Sequence, residues 1–184
     1  TLFRSIRLLD RTFNGSSQRA IRLLELFREF APGMRFHLEI HPALLSEELK
    51  QELSVLPKGL LHLEAGIQSL KESVLQQSRR IGKLSDALEG LKYLCSLKNM
   101  ETHADLIAGL PLYHLSEIFE DVRTLAEYGA GEIQLESLKL LPGTEMRRRA
   151  EELGIQYSPL PPYEVLRTKE ISVEELQTAH YLSR

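Results

Sequence analysis

L-L-H-L-E-A-G (60–66) has the pattern that decides the fold, because polar and apolar residues alternate as in a strand and a helical segment follows. The pattern recurs in R-F-H-L-E-I-H (35–41), T-H-A-D-L-I-A-G (102–109) and E-I-Q-L-E-S-L-K (132–139). One face of each stretch carries ionisable or amide side chains: His37, Glu39 and His41; His62 and Glu64; His103 and Asp105; Glu132, Gln134 and Glu136. Strands of a parallel sheet covered on both faces are almost continuously apolar. Because polar groups are costly to bury without partners, we expect this face to line water, a ligand or a partner.

The order of elements predicts an α/β fold with a parallel sheet and right-handed crossovers. A fifth strand, S-I-R-L-L-D (5–10), comes first, and a helix is expected after each strand, near 17–31, 45–56, 84–98, 115–128 and 145–153, with a short helix from about 70. A full eight-unit barrel needs ~250 residues, and this chain has 184. We therefore expect a partial TIM-like barrel of about five βα units with helices outside, lacking the first unit.

The prolines of S-P-L-P-P-Y-E (158–164) mark a change of organisation. We predict a core over residues 1–154 and a tail over 155–184 that packs on it and ends in a helix near 173–182. Two S-x-x-E capping boxes are predicted, Ser69 with Glu72 and Ser172 with Glu175.

The composition excludes several classes of protein. The net charge of −3 and the pI near 6.1 argue against a nucleic-acid partner. No apolar run approaches the ~20 residues of a membrane span. The single cysteine, Cys95, allows no internal disulfide and is expected to be a buried hydrophobe. We predict a cytoplasmic protein.

The segments that follow three strands carry a more specific pattern. H-L-E-A-G-I-Q-S (62–69), D-L-I-A-G-L-P (105–111) and L-K-L-L-P-G-T-E-M (138–146) resemble, in this order, the fourth, fifth and sixth strands of the radical S-adenosylmethionine (SAM) superfamily. L-L-D-R-T-F-N (8–14) and P-P-Y-E-V-L-R-T-K (161–169) are similar to segments of its cobalamin-binding-domain-type enzymes, which include magnesium-protoporphyrin IX monomethyl ester oxidative cyclases.

This resemblance implies an enzyme in which a 4Fe-4S cluster cleaves SAM and hydrogen is abstracted from a substrate, as in tetrapyrrole cyclases or methyltransferases. That superfamily holds its cluster with a three-cysteine loop after the first strand, which this chain lacks. The chain is therefore expected to be the C-terminal part of the core, inactive alone, with no catalytic residue of its own. The implied partners are N-terminal domains of the same protein, with cobalamin in one of them, an electron donor, and a small-molecule or peptide substrate.

The resemblance also implies the SAM contacts, which are Asp10, Asn14, Glu64, Gln68, Ser69, Arg79, Ile107, Gly109 and Leu141. Glu64, Gln68 and Ser69 would lie by the ribose and methionine, and Arg79 or Arg80 would meet the carboxylate with its fork of donors. Ile107 and Gly109 would pack near adenine, and Leu141 would offer main-chain contacts. Asp10 and Asn14 stand where many members have a Gly-Gly-Glu motif, which is missing here.

Two alternatives remain open. The first is a barrel hydrolase that binds zinc or manganese through residues of the polar face, namely His37, Glu39, His41, His62, His103 and Asp105. These histidines are otherwise hydrogen-bonded residues of the interior. The second alternative is a non-catalytic docking domain. The run Arg147–Arg149 is expected to be a solvated helix face.

Overall fold

The computed structural model describes residues 4–31, 33–80 and 82–182. The strands are β1 Ser5–Arg7, β2 Arg35–Ile40, β3 Leu61–Gln68, β4 Glu101–Ala108, β5 Glu132–Ser137, β6 Gln156–Tyr157 and β7 Val165–Arg167. The helices are α1 Ser17–Arg28, α2 Glu47–Ser54, α3 Glu72–Gln77, α4 Leu84–Ser96, α5 Leu115–Glu127, α6 Glu145–Arg148, α7 Ala150–Leu153 and α8 Val173–Leu182. Among these described ranges, no helix combines the length and the apolar character needed to cross a bilayer.

The predicted fold class, an α/β partial barrel of five βα units, is confirmed. Strands β1 to β5 form one parallel sheet in the order of the sequence. The register aligns Arg7 of β1 with His37 of β2, and His37 with His62 of β3. Strands β6 and β7 form a separate antiparallel pair.

The described residues divide into two compact units, one within 1–67, 82–104 and 126–132 and the other within 68–81, 105–125 and 133–184. The boundary predicted at 154 stays a prediction, and the outermost residues of both predicted domains, 1–3 and 183–184, lie outside the described ranges.

In the first unit, the alternation of β2 buries Phe36, Leu38 and Ile40 on one face. Phe27 of α1 stacks on Phe36 with ring centroids 4.0 Å apart. The opposite face of β2 carries His37 and Glu39, which are only half-buried. The strand therefore separates an apolar layer against the helix from the polar face that its sequence predicts.

Helix α4 of the same unit approaches the 3₁₀ turn Pro42–Leu44 at Gly90. A Cβ at Gly90 would lie 2.1 Å from the carbonyl oxygen of Pro42, so only glycine fits there. Asn99, after α4, donates from its amide to the carbonyls of Leu53 and Leu56, both at 2.9 Å. These bonds satisfy carbonyls at the end of α2, which have no partner inside that helix.

In the second unit, a small core is formed by Leu140, Ala150, Leu153, Ile155 and Val165. The guanidinium of Arg147 lies over two rings, 5.0 Å from the centroid of Tyr157 and 4.8 Å from that of Tyr163, and donates to the carbonyl of Leu140 at 2.9 Å. The expectation that Arg147 belongs to a solvated face is wrong, because aromatic faces attract the guanidinium.

Two further expectations for this unit are wrong and one is confirmed. The helix expected over 145–153 is two short helices that meet at Arg149, whose backbone is not helical. Helix α3 begins after Lys71 with no side-chain cap, so Ser69 and Glu72 form no capping box. Ser172 and Glu175 do form one, since each backbone N–H donates to the other side chain, at 2.8 and 3.2 Å.

Candidate functional site

The polar face of the first unit carries a row of basic side chains on neighbouring strands. Arg7, His37 and His62 occupy aligned positions on β1, β2 and β3. His103 of β4 comes next, with Nδ1 2.8 Å from His62 Nε2. The imidazole centroids are 4.3 Å apart for His37 and His62 and 4.9 Å apart for His62 and His103. We call these three side chains the histidine cluster.

Glu64 supplies the negative charge next to the histidine cluster. Nη2 of Arg7 donates to both carboxylate oxygens of Glu64 at 2.7 Å, and Glu64 Oε1 also lies 2.8 Å from His37 Nε2 and 3.6 Å from His103 Nε2. The Glu64 side chain is only 9% exposed. A carboxylate this buried must be paired, and Arg7 is its principal partner.

His62 is contacted from the other side by Arg35 and Glu101, which form an ion pair with each other. Glu101 Oε2 lies 3.3 Å from His62 Nδ1, and Arg35 Nη2 lies 3.5 Å from the same nitrogen. Burial lowers the pKa of the His62 imidazole, and the neighbouring His37 and His103 lower it further. His62 is therefore held in its neutral form, in which one ring nitrogen offers a lone pair.

The histidine cluster has the geometry of a metal site. Each imidazole offers one ring nitrogen, and these three nitrogens all lie within 4.8 Å of one another. No other group of three His, Cys, Asp or Glu residues in the described ranges has this spacing. Of the six ligands that the hydrolase alternative predicts, the structure thus groups His37, His62 and His103.

The other predicted ligands are placed differently. Glu39 contacts Arg7 at 3.8 Å instead of joining the group. His41 lies just beyond β2, and its backbone N–H and carbonyl are both held by the Asn14 amide at 2.9 Å. Asp105 belongs to the second unit.

Asp10 and Asn14 lie on the segment that follows β1. Asp10 forms an ion pair with Arg19 at 2.6 Å and is partly exposed. Asn14 is buried, and its amide nitrogen donates to the His41 carbonyl while its amide oxygen accepts from the His41 N–H. Asn14 therefore fixes the chain after β2 in this structure.

In the second unit, the turn that follows β3 is held by one acidic residue that the sequence analysis missed. Asp121 of α5 accepts from the Leu70 N–H at 2.7 Å, from the Ser69 hydroxyl at 3.3 Å and from the Tyr113 hydroxyl at 2.6 Å. Asp121 and Ser69 are both buried. Gln68, which immediately precedes Ser69, has φ +73, a left-handed conformation that is rare outside glycine.

Burial raises the pKa of the Asp121 carboxyl above its usual value. The hydrogen bonds from Tyr113 and Leu70 and the charge of Lys71 lower this pKa, but the effect of burial is larger. Burial also raises the pKa of the Tyr113 hydroxyl, which therefore stays protonated and donates. The signal in the sequence was an acidic residue on the apolar stripe of α5, three residues after Ile118 and four before Leu125. A charge at such a position is costly unless it has partners.

The remaining predicted contacts of the second unit lie at strand ends and in loops. Gly109, after β4, has φ +89, and Leu138, Val165 and Leu176 surround the place where its Cβ would lie. Ile107 is half-buried in β4. Leu141 is 42% exposed in the loop that leads to α6.

The two arginines after α3 differ in environment. Arg79 has φ +53, is exposed, and pairs with Glu145 at 2.5 Å. Arg80 is half-buried, and burial lowers the pKa of its guanidinium. Arg79 is therefore the more accessible of the two to a ligand from solvent.

No family model and no curated protein matches the chain, but solved structures do. A radical SAM methyltransferase, TsrM from Kitasatospora setae with cobalamin and a [4Fe-4S] cluster bound, matches with a TM-score of 0.68 at 18% identity over 93% of this chain and 36% of that one. SuiB of Streptococcus suis bound to SAM matches with a TM-score of 0.61 at 12% identity, over 80% of this chain and 35% of that one.

Coproporphyrinogen III oxidase (HemN) from Escherichia coli, a radical SAM enzyme, gives a TM-score of 0.56 at 16% identity over 77% of this chain and 38% of that one. The chain spans little more than a third of the length of these structures. At such identities the likeness shows the fold alone: this chain has the α/β fold of part of these three structures.

Proposed function

We propose that this chain forms part of the SAM-binding core of a radical SAM enzyme. Two independent features support the proposal. They are the strand-end motifs at 62–69, 105–111 and 138–146, and the likeness of fold to two radical SAM enzymes and to a protein solved with SAM bound. Since the chain spans about a third of those structures, the activity would belong to a longer protein.

The anchored turn after β3 is the observation that carries the proposal. Ligands of parallel α/β sheets bind at the carboxyl ends of the strands. At this end of β3, Gln68 has a strained backbone that the bonds of Asp121 to Ser69 and Leu70 hold in place. Such strain outside glycine concentrates at functional sites, where the surrounding structure must maintain it.

The predicted SAM contacts fit to different degrees. Gln68, Arg79, Ile107, Gly109 and Leu141 all belong to the second unit, and we assign the direct contacts to them. Ser69 is fully buried and bonded to Asp121, so its role would be to position Gln68.

Arg79 could exchange Glu145 for the SAM carboxylate at little cost, because exposed ion pairs contribute about 0–1 kcal/mol. Glu64 fits the ribose less well, since Arg7 occupies both of its carboxylate oxygens. Asp10 and Asn14 keep their own partners in the first unit, Arg19 and the backbone of His41.

A reduced 4Fe-4S cluster, when bound, would supply the electron that cleaves SAM, and this chain would bind and orient SAM. The cluster ligands would come from residues outside this sequence, which has one cysteine. A cobalamin domain and an electron donor are the further partners we propose. Because a methyltransferase and a coproporphyrinogen oxidase share this fold, the fold does not select the substrate or favour a cyclase.

The test uses the full natural protein that contains this chain, reconstituted with iron and sulfide without oxygen. We expect a bound cluster and reductant-dependent release of methionine from SAM. Arg79→Ala should raise the KM for SAM about tenfold or more, the usual effect of losing a hydrogen bond to a charged group. Arg123→Ala, an exposed arginine on α5, is the matched control and should leave KM unchanged.

Failure of the reconstituted protein to hold a cluster would refute the proposal. An equal effect of the two arginine substitutions on the KM for SAM would instead show that Arg79 does not contact SAM.

A further inference from the structure

We propose that the histidine cluster of the first unit, His37, His62 and His103, binds a zinc ion, with the Glu64 carboxylate next to the site. This inference is independent of SAM binding, which we assign to the second unit. It concerns three imidazoles, whose ring nitrogens are donors that zinc accepts in proteins.

The spacing of the imidazoles is close to what zinc requires. Ligand nitrogens of tetrahedral zinc, each about 2.0–2.1 Å from the metal, are about 3.4 Å apart. The cluster nitrogens lie within 4.8 Å of one another, and His62 Nε2 and His103 Nδ1 are 2.8 Å apart. Shifts of the ring nitrogens by about an ångström would give the spacing of a zinc site.

His37 provides a buried nitrogen that lacks a hydrogen bond. Its Nε2 is out of contact with solvent, and although Glu64 Oε1 lies 2.8 Å away, the contact does not have hydrogen-bond geometry. Buried polar atoms in proteins nearly always have a partner. A metal ion bound by this nitrogen would supply the missing partner.

The neighbouring carboxylates orient the rings as metal sites require. Ligating histidines usually donate their second ring nitrogen to a carboxylate, which fixes the tautomer. Glu101 Oε2 lies 3.3 Å from His62 Nδ1, so with the proton on Nδ1 the lone pair of His62 Nε2 faces His103 Nδ1, 2.8 Å away. Glu64, held by Arg7, is a second carboxylate next to the rings, near His37 and His103.

The charges around the cluster also allow a cation. Two arginines, Arg7 and Arg35, are outnumbered by three carboxylates that contact them or the imidazoles, Glu39, Glu64 and Glu101. With neutral imidazoles the local charge is −1 and becomes +1 with zinc. A cavity of about 200 Å³, lined in part by Arg7, Arg35, His37 and His62, gives an ion access.

The experiment measures zinc binding to the chain after removal of metal by a chelator. We expect one zinc per chain, a rise in Tm on zinc addition because the ion binds only the folded state, and a cobalt(II) spectrum of tetrahedral type. His62→Gln and His103→Gln should each abolish the rise in Tm. Glu64→Gln should weaken zinc binding by about ten- to a hundredfold.

His114→Gln, which changes an exposed histidine before α5, is the matched control and should bind zinc like the wild type. The Tm and circular dichroism of each metal-free variant show whether it has folded. Equal zinc binding by His62→Gln and the wild type, or no rise in Tm of the folded wild type with zinc, would overturn the proposal and leave a hydrogen-bonded cluster. Because no readout uses SAM, this result is separate from that for the radical enzyme.

Discussion

Asp121 shows how one side chain fixes the conformation of a turn. Its carboxylate accepts from Ser69, Leu70 and Tyr113, so it satisfies two buried hydroxyls and one backbone N–H. It thereby replaces the capping box expected at Ser69, whose hydroxyl is already engaged. The acidic type of the residue could be noted in the sequence, but its partners could not, because Ser69 is 52 positions away.

Replacing Asp121 tests this role. Asp121→Ala should lower the free energy of unfolding by about 3 kcal/mol or more, because it leaves two buried hydroxyls and the Leu70 N–H without an acceptor. Asp121→Asn keeps an acceptor oxygen and should cost less. Urea denaturation measures both, with Asp86→Asn, at an exposed aspartate of α4, as the control. A loss in Asp121→Ala no larger than in the control would contradict the role.

The raised pKa of Asp121 predicts a dependence on pH. Burial makes the folded state take up a proton at a higher pH than the unfolded state, whose aspartates titrate near pH 3.9. Stability from this group is therefore present at low pH and lost as pH rises through the folded pKa. The unfolding free energy of wild type relative to Asp121→Asn should increase as pH falls towards about 4. A decrease would mean that Lys71 and the N–H donors keep the carboxylate ionised.

Among the elements, α4 is fixed by a contact that its periodicity does not reveal. The stripe of Leu84, Leu88 and Leu91 predicts the helix and its buried side, and the structure agrees on both. Gly90 is also buried, because the Pro42–Leu44 turn approaches the helix backbone there. A glycine within a helix ordinarily signals only weakened propensity, so the approach could not be inferred from the sequence.

Gly90→Ala is expected to destabilise the protein by about 1–3 kcal/mol, since the added methyl would overlap the Pro42 carbonyl. The usual effect of this change in a helix is a gain of about 1 kcal/mol. Glu89→Ala and Glu89→Gly, at the exposed neighbouring position, measure that usual preference in the same helix. In thermal unfolding, Gly90→Ala should therefore lower the Tm of the protein, whereas at position 89 the alanine variant should have a higher Tm than the glycine variant. A stabilised Gly90→Ala would show that the turn can move away.

At the level of the whole chain, the alternation of elements predicts the parallel sheet and its polar face, whereas the order of the strands comes from the structure. The alternation does not predict the contacts on that face, such as Arg7 with Glu64 across 57 positions, because these depend on register and side-chain orientation. The same holds for the histidine cluster: the residue types were candidates from the sequence, but only aligned strands select three of the six.

The sheet order leaves β1 at one edge, with no further strand beside it in the described ranges. Unpaired strand edges favour association. We expect the chain to associate at high concentration in sedimentation velocity, and Ile6→Lys, at a 42% exposed position in β1, to reduce this. Leu160→Lys, at a 70% exposed loop position, is the control. Equal association of both variants would place the contact elsewhere.

The aligned row of Arg7, His37 and His62 has a consequence for folding itself. A slip of β2 by one residue would turn Phe36 and Leu38 towards the charges and bury His37 and Glu39 against α1. A slip by one residue thus places ionisable groups in hydrocarbon, whereas the observed register brings Arg7, His37 and Glu64 together. The polar face therefore favours the correct register when the strands assemble, whether or not a ligand binds there.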